Sequence, residues 1–524
     1  MTTQDPDIQN IVDEEYSDPS NYPDYVQYAL DYALTVKQPD GQEVNYSKEM
    51  MKLYFQNEDP SFDLLFDSQD EGQTYVDRYK ANILADGSTV VAERVSFAPQ
   101  PQSAMTIIDQ HTGYVKAIIG GRGTKTASLT LNRATDSTRQ PGSTFKIVST
   151  YAAALNEKGM TLATTYEDQP ITYDNGAPVN NASGSFNGTT TIRTAIRNSV
   201  NTVAVQCFED VTPELGLKYL DNFGFTTLAH GTEADTDANG NVYTDANLPT
   251  AIGGLTYGVK NVELCAAYAA IANGGNYIKP VYYTKILDHN GNVLIENNSV
   301  GRSVIKETTA YLLTSALEDV VQNGTGTACQ LDNMAVAGKT GTTDAYNDLW
   351  FVGYTPYYTC AVWSGYDGNQ KIPEGDARNF HKTLWRKVMN RIHQGMEYKD
   401  FEVPDGIEQI SICADTGLLP RVGCPVTEEY FDVGTMPTEY CDQHFYEYDE
   451  SQDEDMEIYD ENATPTPDPE NPDGTDNTDG SGGDGTGGDG TGGDGTGGDG
   501  TGGGDIQYPD ESGGDSGNDD IYYY

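Results

Sequence analysis

Ser143 and Lys146 stand three residues apart in the run Arg139-Gln140-Pro141-Gly142-Ser143-Thr144-Phe145-Lys146. Pro141-Gly142 is turn chemistry, and nothing from Thr144 to Leu155 breaks a helix. A serine in the first turn of a helix and a lysine one turn later share a face. A serine hydroxyl is a weak nucleophile until a base takes its proton, and a lysine can be that base once its pKa is lowered. Two further sets supply the rest of such a site. Ser199-Val200-Asn201 follows Arg197-Asn198 and precedes the helix-like run Thr202-Val203-Ala204-Val205. Lys339-Thr340-Gly341-Thr342-Thr343 closes the strand-like run Met334-Ala335-Val336-Ala337. Taken singly, Ser143 is a helix cap, Lys146 a surface lysine, Ser199 and Asn201 parts of a turn, and Lys339-Thr340-Gly341 a strand end. Their order along one chain is what lifts them above those readings.

The order S-x-x-K, S-x-N, K-T-G resembles that of penicillin-binding proteins and serine β-lactamases. The flanks resemble the transpeptidase domain of class A penicillin-binding proteins in particular. They are Gly120-Gly121-Arg122, Asn132-Arg133-Ala134, Gly324-Thr325-Gly326-Thr327-Ala328 and Asp348-Leu349-Trp350-Phe351-Val352-Gly353-Tyr354-Thr355-Pro356. The resemblance covers roughly residues 101 to 395. One position departs from it: Ile147 stands where the family usually has proline.

The resemblance implies a role for each motif residue. Ser143 attacks the carbonyl between two D-alanines of a peptidoglycan stem peptide, and Lys146 is its base. Ser199 relays a proton to the leaving amine, and Asn201 holds Lys146 and the substrate amide. Lys339 attracts the terminal carboxylate and tunes Lys146, with the Thr340 and Thr342 hydroxyls beside it. Gly341 lets the substrate backbone lie against the strand. The backbone N–H groups of Ser143 and Thr342 form the oxyanion hole. β-Lactams mimic the substrate, an amine resolves the acyl-enzyme, and no cofactor or metal is assigned. A carboxypeptidase or a non-catalytic cell-wall-binding relic is the alternative. A β-lactamase fits less well, because the span from Ser199 to Lys339 is long.

The elements that must position these residues are partly legible. Ser103–Asp109, a turn at His111-Thr112-Gly113 and Tyr114–Gly121 read as a hairpin, and Leu349–Tyr354 with Tyr358–Trp363 as another. Hairpins at both ends with helices between predict an α+β fold, an antiparallel sheet flanked by helices. Asn21-Tyr22-Pro23-Asp24 is read as a helix start, with Tyr25, Val26, Ala29, Leu30 and Ala33 as its apolar stripe. Thr89-Val90-Val91-Ala92 reads as strand. The expected division is 1–100 N-terminal linker or pedestal, 101–395 transpeptidase-like domain, 396–445 C-terminal extension, and 446–524 a disordered acidic tail of Gly-Gly-Asp-Gly-Thr repeats. Asp235–Asp245 has the alternating oxygens of a calcium loop, but Ala246 takes the place of its closing Glu, so an Asx-rich turn is expected.

The 524 residues carry a formal net charge of −51, and no Lys or Arg follows Phe445. This argues against nucleic acid and against an anionic membrane surface as direct partners. No stretch reads as a transmembrane segment or a signal peptide. The resemblance implies an anchor and a glycosyltransferase domain before the transpeptidase. A truncated reading frame is therefore expected, acting at the outer face of the cell membrane, with a soluble cytosolic relative as runner-up. Of the seven cysteines, Cys413, Cys424 and Cys441 lie near His444 at spacings of no standard zinc module, so a disulfide or plain thiols is expected over a metal.

Overall fold

The two apolar hairpins are the frame of the molecule. Gln102–Asp109 pairs with Tyr114–Ile119, and Asp348–Tyr354 pairs with Thr359–Gly365. Thr359–Gly365 then joins Gln102–Asp109, and Ala337–Thr342 adds at the far edge of Asp348–Tyr354. The result is one antiparallel five-stranded sheet. The computed structural model that shows this describes residues 1–125 and 128–444. The acidic tail expected from residue 446 lies outside the described residues.

Both faces of this sheet are covered, which is why its strands read as nearly continuous apolar runs. Alternate side chains point to opposite layers. Met105, Ile107, Phe351, Cys360 and Val362 meet Ile8, Val12, Leu384, Trp385 and Val388 on one side. Ala104, Ile108, Trp350, Val352, Ala361 and Trp363 meet the larger helical layer on the other. The centre of that layer is the helix Asn261–Ala272, apolar all round and buried along most of its length. Helix Glu307–Asn323 lies beside it. The fold is therefore α+β, an antiparallel sheet between helical layers.

Residues 27–100 build a second, smaller sheet with a core of its own. Gln27–Lys37 lies between Glu43–Ser47 and Thr89–Gln100, and pairs with the latter along its length. Here the sequence reading is corrected: the segment after Pro23 is strand, not helix. Leu30, Tyr32, Leu34 and Val36 are buried in strict alternation and meet Met51, Phe55, Val76 and Tyr79. The period of two and the Tyr, Thr and Val content outweigh a stripe that happened to match helical spacing. The N-terminal helix is instead Pro6–Ser17, capped by the Asp5 carboxylate with Pro6 in the first turn. Its Ile8, Val12 and Tyr16 pack on the central sheet.

The C-terminal extension is a hairpin, Ile407–Cys413 with Val426–Asp432. The Arg193 guanidinium grips the buried Glu429 carboxylate through two bonds of 2.6 Å and also reaches the Ser315 hydroxyl at 3.0 Å. The acidic loop at Asp235–Asp245 is a set of turns: Asp237 accepts from the Asn239 and Asn241 backbone N–H groups and from the Tyr243 hydroxyl. Asp235 accepts from Thr232 and His230. No helix of the described residues is long and apolar enough to cross a membrane.

Candidate active site

The chain around Ser143 is held from four sides before any chemistry is considered. Arg139 exchanges two backbone hydrogen bonds with Val259. The Gln140 side chain does the same with the Leu255 backbone, and the Trp350 indole donates to the Gln140 carbonyl at 2.8 Å. Beyond the serine, the buried Tyr268 hydroxyl donates to the Thr144 carbonyl at 2.6 Å. Arg139 also lies over the Trp363 ring, 4.6 Å from its centroid.

Gly142 opens a single 3-10 turn, Gly142–Thr144, with φ of +53°. A Cβ there would stand 2.8 Å from the Thr342 carbonyl oxygen. On the facing strand a Cβ at Gly341 would stand 2.5 Å from the Pro141 carbonyl oxygen. Both positions require glycine because two backbones meet. That meeting brings the turn carrying Ser143 against the strand segment carrying Thr342.

The unbroken helix expected from Thr144 to Leu155 is corrected in its local geometry. A π-turn, Ile147–Tyr151, separates the 3-10 turn from a short α-helix, Ala152–Glu157. The Ser149 hydroxyl bonds back to the Phe145 carbonyl at 2.8 Å, and Ile147, Val148 and Thr150 are β-branched and fully buried. Back-bonding and crowding of this kind loosen the regular ladder, and π-turns recur at functional sites. Ile147, in place of proline, begins that turn.

Lys146 is fully buried, and its Nζ donates to the Ser199 carbonyl at 2.7 Å and to the Asn201 side-chain oxygen at 2.5 Å. A longer contact of 3.3 Å reaches the Ser199 hydroxyl. Lys339, also fully buried, donates to that same hydroxyl at 2.8 Å. Ser199 thus bridges the two lysines. A neutral amine has two N–H donors and one lone pair. In a neutral amine the two short bonds use both donors and leave the lone pair, whereas a protonated one has a third donor for the Ser199 hydroxyl.

Ser199 is placed by backbone geometry that the sequence does not announce. Helix Ile192–Asn198 ends on it in the left-handed conformation, φ +58°, and Asn201 starts the next helix, Asn201–Val211. The left-handed form costs a non-glycine residue about 1–2 kcal/mol. A buried polar network holds it there. Asp168 accepts from Asn181 at 2.7 Å and Thr202 at 2.6 Å, Asn181 in turn accepts from the Asn201 backbone N–H, and the Asn201 amide donates to the Asn180 carbonyl. The last bond fixes which end of the Asn201 amide faces Lys146. Asp168, Asn180 and Asn181 were not read from the sequence. Nor was Thr325, whose hydroxyl is 2.7 Å from that of Thr340. Thr325 belongs to a quoted flank, which was the available signal.

Burial, then the neighbouring charge of Lys339, holds the Lys146 ammonium well below its usual pKa, and Asp344 opposes this. Burial lowers Lys339 to about 7. Of the expected site residues, Lys146, Ser199, Asn201 and Lys339 form one hydrogen-bonded cluster. Ser143, Gly341 and Thr342 lie at the glycine contact beside it, and Thr340 lies next to Thr325. The arrangement offers a partly exposed serine hydroxyl at a turn and two buried amines that share the Ser199 hydroxyl.

Residues 103–390 match the family described as the penicillin binding protein transpeptidase domain, and residues 403–446 match the penicillin-binding protein 1A C-terminal domain. The chain is 34% identical over 362 residues to penicillin-binding protein 1A of Clostridium tetani, spanning 66% of this chain and 45% of that protein. It thus spans less than half the length of that relative. The crystal structure of penicillin-binding protein 1A from Haemophilus influenzae superposes with a TM-score of 0.58 at 20% identity, over 84% of this chain and 73% of that one. The PonA1 protein of Mycobacterium tuberculosis in complex with penicillin V gives a TM-score of 0.50 at 25% identity, over 58% and 81%.

Proposed function

The chain belongs to the penicillin-binding protein transpeptidase family, and from that premise we propose that it is a serine D,D-transpeptidase cross-linking peptidoglycan stem peptides on the outer side of the cell membrane. The observation that carries the proposal is the cluster of Lys146, Ser199, Asn201 and Lys339, in which two buried lysines share one serine hydroxyl.

Those contacts support the following reaction. Ser143 Oγ attacks the carbonyl of the penultimate D-alanine, and Lys146 takes its proton through the free lone pair. The oxyanion forms at the backbone N–H groups of Ser143 and Thr342, a reading supported by the close approach of Gly142 to Thr342. The C–N bond to the terminal D-alanine breaks as the proton passes by way of the Ser199 hydroxyl to the leaving amine. Lys339, Thr340 and Thr342 hold the terminal carboxylate. An acceptor amine then attacks the acyl-Ser143 ester, forms the cross-link and returns the proton to the serine. A β-lactam enters by the same attack and stays as the ester. The penicillin V complex of the PonA1 protein supports this reading.

The test offers the chain a donor peptide ending in D-Ala-D-Ala together with an amine acceptor. Release of D-alanine with transfer to the amine is expected, and Ser143→Ala abolishes both. Hydrolysis alone at saturating amine would make the protein a carboxypeptidase, and no release by the folded chain would make it a relic.

A further inference from the structure

Three cysteines and a histidine spread over residues 413–444 converge at the end of the C-terminal hairpin. Cys413 ends the first strand, Cys424 precedes the second, and Cys441 and His444 follow it. Their ligand atoms all lie within 4.8 Å of one another. His444 Nδ1 is 3.5 Å from Cys413 Sγ and 3.4 Å from Cys441 Sγ. Zn–S bonds of about 2.3 Å and Zn–N bonds of about 2.0 Å give a tetrahedron whose S···N edges are roughly 3.5 Å. The observed edges fit that figure.

Two supporting features match a metal centre and have no use in a disulfide. His444 Nε2 stands 3.2 Å from the Asp415 carboxylate, which orients the ring and leaves Nδ1 facing the thiols. Backbone N–H groups also point at the sulfurs: Arg421 to Cys424 at 3.2 Å, Asp415 and Thr416 to Cys413, and Gln443 and His444 to Cys441. A disulfide would join two of the sulfurs and leave the third, the imidazole and its carboxylate without a purpose. The four other cysteines are buried in the main body of the chain.

The hairpin also needs a staple. Its own core is Ala163, Ile412 and Phe431, with Ile410 and Met436 packed on it. Ile407 and Tyr430 lean on the main core and Arg193 holds Glu429, so the parts with little to bury are the segments that carry Cys424, Cys441 and His444. The last segment is tied to it by backbone bonds of Leu419 with Glu439 and Cys441.

We infer that Cys413, Cys424, Cys441 and His444 bind one Zn2+ as a closed structural site that fixes the C-terminal hairpin and its following segment. Three S–H bonds are exchanged for three Zn–S bonds, three protons go to solvent, and neutral His444 completes the set through Nδ1. The centre carries one net negative charge. A sulfur-rich donor set with one imidazole selects zinc over hard cations. Sequence spacing concealed the site because the hairpin, not a short loop, brings the ligands together.

The test uses the full chain purified without chelator. Plasma mass spectrometry should find one zinc per chain, and Co2+ in its place should show the visible bands of tetrahedral thiolate ligation. Removing the metal should lower the Tm, and Cys424→Ser and His444→Ala should lose the metal. Asp415→Asn keeps all four ligands and should weaken zinc about 10–100-fold in competition with a chromogenic chelator. A chain free of zinc that binds none when reduced, a disulfide joining two of the three cysteines in the folded protein, or Asp415→Asn binding as tightly as wild type would overturn the inference.

Discussion

Lys146→Ala lowers the rate constant for acylation of Ser143 by a β-lactam by about 10²–10⁴, the range for a lost general base, while pre-covalent binding stays nearly intact. The proposed base is Lys146, whose two short bonds to Ser199 and Asn201 would leave the lone pair of a neutral amine free. The pH profile separates the two lysines. Burial, then the charge of Lys339, hold Lys146 well below its ordinary pKa, which favours the neutral amine that a general base requires and leaves protonation to act as the pH falls. The acidic limb of the acylation profile therefore belongs to Lys146. Lys339 loses its charge as the pH rises through about 7 in the free protein, so attraction of a carboxylate falls on the alkaline side. Lys146→Ala removes the acidic limb. Lys339→Arg stays charged, so it removes the alkaline limb but recovers only part of the activity, because the guanidinium is larger. Stopped-flow acylation across pH reads all of this, and a wild-type rate in Lys146→Ala places the base elsewhere.

Gly341→Ala should lower acylation by about 10²–10³, the loss that follows when one oxyanion donor is displaced. The new Cβ meets the Pro141 carbonyl oxygen at 2.5 Å and Thr144 Cγ2 at 2.8 Å, and a backbone atom has no rotamer with which to yield. The strand must retreat from the turn that carries Ser143, separating the Ser143 and Thr342 N–H groups. The Tm should fall with it. Gly240→Ala is the control: φ is +86° but the added Cβ meets nothing within 4 Å, so stability drops slightly and acylation does not. Equal rates for the two variants would show that the close approach does not set the oxyanion hole.

The residues that carry the proposed chemistry were legible from their order along the chain and from their flanks, since each taken singly has a bland reading. Lys146 and Lys339, a surface lysine and a strand end on those bland readings, are both fully buried. The two sheet hairpins were legible too, since turn residues at His111-Thr112-Gly113 and Thr355-Pro356-Tyr357 bracket apolar runs. What escaped depends on tertiary contact. The left-handed Ser199 has no local signature, and the network that fixes Asn201 and Thr202 just after it runs through Asp168 and Asn181, which precede Ser199 by 31 and 18 residues. The strand Gln27–Lys37 was misread because two periodicities overlap in it, and only its pairing with Thr89–Gln100 decides between them. The helix Pro6–Ser17 had a readable start in Asp5-Pro6 and an i, i+4, i+8 stripe, obscured by the acidic composition around it.

The central claim is that Ser143 is the acylated nucleophile. The most direct measurement treats the full chain with benzylpenicillin, digests it and locates the added mass by tandem mass spectrometry. The expected result is one adduct per chain, on Ser143, absent in Ser143→Ala and formed slowly in Lys146→Ala. An adduct on Ser199 or any other residue, or a folded chain that takes up none, would contradict the account.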